Sequence, residues 1–129
     1  MSLALTVLAR AVHLGQAWEI HVDEISYLRL SQSVAEHLAV QLYAQPFYLH
    51  PPAYFFVEGA FLKVWQPTGD LIHQIYAARS INVVLAGLTA ALVYLLGWRI
   101  AGWRAALATA SLFALDPFVV RMNSRTFLE

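Results

Sequence analysis

The 129-residue chain has no cysteine, which excludes a disulfide framework and thiolate metal ligation. Charge is scarce as well: 12% of residues are Asp, Glu, Lys or Arg, the net charge is zero, and no basic run occurs. The electrostatic footprint of a nucleic-acid binder is therefore missing. There is no internal repeat and no low-complexity segment, and the N-terminus has neither the basic start nor the small-residue cleavage site of a secretory signal. What is present is apolar: 60% of residues are hydrophobic and the mean hydropathy is +0.58. Soluble domains run to roughly 45–50% apolar and about 25% charged. A soluble fold of this size cannot hide so much apolar surface, and lipid is the solvent that accepts it.

Crossing a bilayer takes about 20 mostly apolar residues. The clearest span is 79–98, uncharged from Ile81 to Trp98. A second runs over 104–120, rich in Ala and Leu until Asp116-Pro117, which reads as a helix end. The turn between them, 99–103, is flanked by Arg99 and Arg104 and is expected on the cytosolic side. The first apolar stretch, 2–18, is short and carries Arg10, expected to snorkel at the exit end. It reads as a span that starts part-way through.

Residues 52–65 are too short to cross and hold Glu58 and Lys63 amid aromatics, which suits a helix lying in the interface. Residues 24–44 have helical spacing of Ile25, Leu28, Ala35, Leu38 and Leu42, with Asp23 as the expected N-cap. The predicted fold class is thus all-α and integral to the membrane. About three transmembrane helices accompany two interfacial juxtamembrane helices, which lie in a first external loop over 19–78. Residues 121–129 start a second external loop.

Polar residues gather in these loops. Asp23-Glu24 follows the first span closely, where desolvation can raise a carboxyl pKa toward that of a general base; a solvated cap pair is the plainer alternative. His50-Pro51-Pro52 sets an imidazole on a stiff turn where it could meet a lipid phosphate, or simply be solvated. Arg79 at a helix entrance could clamp a phosphate or snorkel. Arg125 and Glu129 are either an i,i+4 pair or two more site groups. His13, His21, His37 and His73 lack metal-ligand spacing.

The order of these motifs resembles the N-terminal part of the GT-C glycosyltransferases, in the protein O-mannosyltransferase and aminoarabinose-transferase-like group. The matching residues are Asp23-Glu24 with Tyr27, His50-Pro51-Pro52-Ala53-Tyr54, Ala78-Arg79-Ser80, the turn from Gly97-Trp98-Arg99 to Gly102-Trp103-Arg104, and Ser124-Arg125 followed by Glu129. The resemblance covers nearly the whole chain. It implies an inverting transfer of sugar from a polyprenyl-phosphate carrier to a protein or lipid acceptor on the non-cytosolic face of the cell membrane. It makes Asp23 the acceptor-activating base, with Glu24 supporting it or the site geometry. His50 would contact the carrier phosphate and Arg79 would help hold the site or the phosphate, with Tyr27, Tyr54, Arg125 and Glu129 as further substrate-side residues. No cofactor is implied; two acidic sites on one face are weak grounds for a divalent metal. Family members are far longer, so the chain reads as a fragment expected to be inactive alone. A small non-catalytic membrane protein acting as an assembly partner is the alternative. A transporter is disfavoured by the uncharged 81–98 segment.

Overall fold

The computed structural model describes residues 2–16 and 19–125, and the molecule is mostly helical, 78% in all. Helix α1 spans Ser2–Gln16, α2 Val22–His37, α3 Ala53–Trp65, α4 Leu71–Leu115 and α5 Pro117–Asn123, with strands β1 (Gln41–Leu42) and β2 (Gln45–Pro46) between α2 and α3. The described residues divide into two compact units, 2–16 with 82–125 and 19–81.

In the 19–81 unit, α2 packs on α3 and buries Tyr27, Leu30 and Val34 against Phe55, while Leu28 and Leu62 meet Ile75 and Ala78 of α4. Contact between α2 and α3 is close because α3 carries Gly59: a Cβ there would lie 2.7 Å from the Ser31 carbonyl oxygen. Helix α2 is capped at His21 rather than at the expected Asp23, because the Glu24 carboxylate reaches back to accept from the His21 N–H (3.1 Å). It also ends at His37 rather than at 44, since Leu38 turns left-handed (φ 56°) and its N–H closes on the Val34 carbonyl. The residues beyond form an antiparallel hairpin whose turn residues, Tyr43 and Ala44, both have positive φ, the two-residue pattern that matches strand twist.

In the 82–125 unit, α4 reverses at Gly102, whose φ of 80° and ψ of 179° break the helix. The arms fold back tightly: a Cβ on Gly97 would stand 3.0 Å from Ala106 Cα. The reversal falls inside the expected turn at 99–103. Unlike the expected start at 79, α4 begins at Leu71, where Asp70 accepts from the His73 N–H (3.0 Å). At the other end, Asp116-Pro117 stops α4 and starts α5: Asp116 Oδ1 accepts from the Val119 N–H (2.9 Å), and Pro117 needs no donor there. The apolar helix expected to reach 120 therefore ends at Leu115.

Arg10 does not snorkel. It is fully buried, and its N–H groups point at neutral acceptors: the Thr6, Phe113 and Ala114 carbonyls and the Asn123 side-chain oxygen, at 3.2–3.4 Å. Those contacts account for all five guanidinium donors. Phe113 and Ala114 lie in the last turn of α4, whose carbonyls lack helical partners and carry partial negative charge. Arg10 caps that helix from α1.

Among the described residues, one helix is long and apolar enough to cross a membrane, α4, with a mean hydropathy of 1.9 in its most apolar stretch. Only 28% of that stretch is buried, unlike the core helix of a soluble protein. The second and third expected spans are the two arms of this one kinked helix, and α1 contains a shorter apolar run, Ala4–Leu14.

Candidate functional site

Of the residues singled out from the sequence, Asp23, Glu24, Tyr27, His50 and Arg79 lie on or against the N-terminal half of α2. Asp23 and Glu24 are adjacent, so they leave the helix about 100° apart and meet different surroundings. Asp23 is exposed in the first turn; Glu24 is fully buried. The Glu24 carboxylate takes two hydrogen bonds from one guanidinium, Arg79 Nε to Oε1 and Nη2 to Oε2, both 2.8 Å. Arg79 is itself fully buried, donates to the Glu19 carbonyl (2.8 Å), and lies over the Tyr76 ring at 5.0 Å. It does not open α4 but sits more than two turns inside it. Carboxylate and guanidinium neutralise each other in a fork geometry that holds α2 to α4.

One turn on from Glu24, Tyr27 is buried and its hydroxyl meets His50 Nε2 at 3.0 Å, with the rings edge to face. Pro51-Pro52 stiffens the chain that delivers His50, and the imidazole also lies near the Phe47 ring. Tyr54 is half-buried beside Phe55. A cavity of about 410 Å³ opens beside His50, lined by Phe47, Tyr48, Pro46 and Pro52. Arg125 belongs to the other unit, where it is buried and its carbonyl accepts from the Asn82 amide (2.7 Å). Glu129 lies outside the described residues.

Sequence reasoning missed Glu58, treating it as a charge that keeps α3 out of the bilayer. It is fully buried against α2, where Oε2 accepts from the Ser31 hydroxyl (2.6 Å) and Oε1 has no hydrogen-bond partner among the described residues. Burial pushes its pKa up to about 7, the Ser31 bond opposes the rise, and the nearby Glu24 charge adds to it. The signal was a lone acid followed by glycine in an apolar helix, Glu58-Gly59, where close helix approach and a buried acid coincide.

Among the described residues, no group of three or more His, Asp or Glu side chains is placed to hold a metal ion. Exposed Asp70 accepts from the His73 backbone N–H (3.0 Å) and shares a hydrogen bond of 2.6 Å with the His73 ring, and these contacts, the backbone one foremost, hold its pKa below the usual value. No family model matches the chain, and neither does any curated protein or solved structure.

Proposed function

We propose that the chain is the membrane-embedded N-terminal part of an inverting glycosyltransferase that moves a sugar from a polyprenyl-phosphate carrier to a protein or lipid acceptor on the non-cytosolic face. The observation that carries this reading is the division of labour in the Asp23-Glu24 pair. Glu24 is committed to Arg79 while its neighbour Asp23 stays open to solvent. Only Asp23 is left to take a proton from an acceptor hydroxyl as that oxygen attacks the anomeric carbon and the carrier phosphate departs. Glu24 and Arg79 are positioning residues that fix the helix bearing Asp23. With Nε2 of His50 engaged by Tyr27, its other ring nitrogen serves the phosphate.

The membrane arrangement proposed with this function places α1 and both arms of α4 in the bilayer of the cell membrane. The turn at Gly102 then lies in the cytosol, and α2, α3 and the β-hairpin lie at the opposite surface. The first arm, residues 71–101, is roughly 46 Å long at 1.5 Å per residue, about 16 Å more than a hydrocarbon core needs. The surplus is the N-terminal stretch that carries Arg79. Exposed Leu88, Leu92, Leu95, Leu96 and Leu112 supply the lipid-facing surface.

Transfer from a polyprenyl-phosphate sugar by the protein containing this segment tests the role of Asp23. Asp23→Asn is expected to lower the rate by roughly 10²–10⁴-fold, the usual contribution of a general base, while the protein still binds the donor. Transfer at the wild-type rate would exclude Asp23 as the base.

A further inference from the structure

The turn of the α4 hairpin carries chemistry that the proposed transfer does not use. Trp98, Ile100 and Trp103 are exposed there, at 56%, 75% and 56%, and Arg99 and Arg104 are exposed beside them. Arg104 lies over the Trp103 ring at 5.4 Å. From 71 to 115 the sequence has no Asp or Glu. The unit that holds the turn has five arginines (10, 99, 104, 121 and 125) against one carboxylate, Asp116, whose Oδ1 caps α5. Arg10 is already saturated by carbonyls, and Arg99 and Arg104 meet no carboxylate among the described residues.

Next to this charge runs a groove of about 670 Å³, lined by Leu92, Leu95, Leu96, Trp98 and Arg99. Its walls are leucine side chains and the Trp98 indole, and its end is a guanidinium. An acyl chain fits the walls, and a phosphate fits the fork at the end.

We infer that the hairpin turn is a docking site for an anionic phospholipid, its headgroup held between Arg99 and Arg104 and one acyl chain lying along Leu92 to Leu96. The inference rests on the membrane reading above but concerns the face opposite Asp23. A peptide partner fits less well, because leucine walls give a peptide backbone no hydrogen-bond partners. A zwitterionic lipid offers a phosphate too, but brings its own cation, which two adjacent guanidiniums repel. The preference for a net negative headgroup comes from the lack of that cation, at roughly fivefold per arginine near an anionic surface.

The test uses the full chain with Trp18 and Trp65 replaced by Phe, so that fluorescence reports Trp98 and Trp103 alone. It is reconstituted in phosphatidylcholine vesicles containing an equal fraction of either brominated phosphatidylcholine or brominated phosphatidylglycerol. Brominated phosphatidylglycerol should quench several-fold more. Arg99→Gln with Arg104→Gln should remove the difference, as should about 1 M salt, where the Debye length falls to about 3 Å. Equal quenching by the two lipids in the unmodified turn would overturn the inference and leave the membrane reading intact. A chain that does not float with the vesicles would overturn both.

Discussion

Glu24 and Arg79 each have no exposed surface, so removing one strands the other's charge in the interior. Arg79→Ala is expected to cost about 3–5 kcal/mol of stability, whereas the apolar double variant Glu24→Leu with Arg79→Met should cost less than either single change. Thermal unfolding in detergent checks both; a double variant as unstable as the sum of the singles would contradict a closed ion pair. Glu58 gives a second prediction. Its folded pKa of about 7 lies above the ordinary 4.5, so the folded state holds a proton that the unfolded chain has lost. Stability therefore falls as pH rises from about 4.5 through about 7 and is level beyond. Glu58→Gln removes that slope and should exceed the wild type at about pH 8 by an amount on the order of 3 kcal/mol. Parallel stability–pH curves for the two proteins would contradict it. At this scale the sequence showed an acidic pair but not which acid turns inward. That choice is made by Arg79, 55 positions along the chain, and a contact so distant leaves no local pattern.

Helices were legible where the chain marks its own ends. The stretch 52–65 is a helix from Ala53 to Trp65 because Pro51-Pro52 fixes its entry. The reversal inside 99–103 is legible because glycine is the residue that reaches a φ of 80° without a Cβ clash. Where ordinary residues adopt unusual backbone, legibility fails. Leu38, Tyr43 and Ala44 all have positive φ, and no Gly or Asn announces the end of α2 or the hairpin. Tyr43 is held by Arg29, which donates to its hydroxyl (2.6 Å) and lies over its ring, a tertiary contact that overrides local preference. Close helix approach gives the prediction at this scale. Gly59→Ala puts a methyl 2.7 Å from a backbone oxygen that cannot rotate away, and Gly97→Ala puts one 3.0 Å from Ala106 Cα. Each should lower stability by about 1–3 kcal/mol, the usual cost of overpacking, measured as a shift in unfolding temperature. Unchanged unfolding would mean that these helices lie further apart than the contacts of Gly59 and Gly97 require.

Over the whole molecule, composition alone pointed to lipid, and α4 meets the length and hydropathy of a membrane-crossing helix with most of that surface uncovered. Charge is unevenly shared along the chain: seven of the eight acidic residues lie outside the 82–125 stretch, which holds four of the eight basic residues. The proposed site was legible only as an order of motifs, and the division of Asp23 from Glu24 required the folded contacts. The proposed function requires the Asp23 loop and the hairpin turn to lie on opposite faces of a membrane. The absence of cysteine makes the chain ready for accessibility labelling. Tyr48→Cys reports the loop side and Ile100→Cys the turn, at positions 88% and 75% exposed. In intact cells an impermeant maleimide should label Tyr48→Cys at once and Ile100→Cys only after the membrane is opened. Labelling of both in intact cells, or of Ile100→Cys alone, would contradict the account.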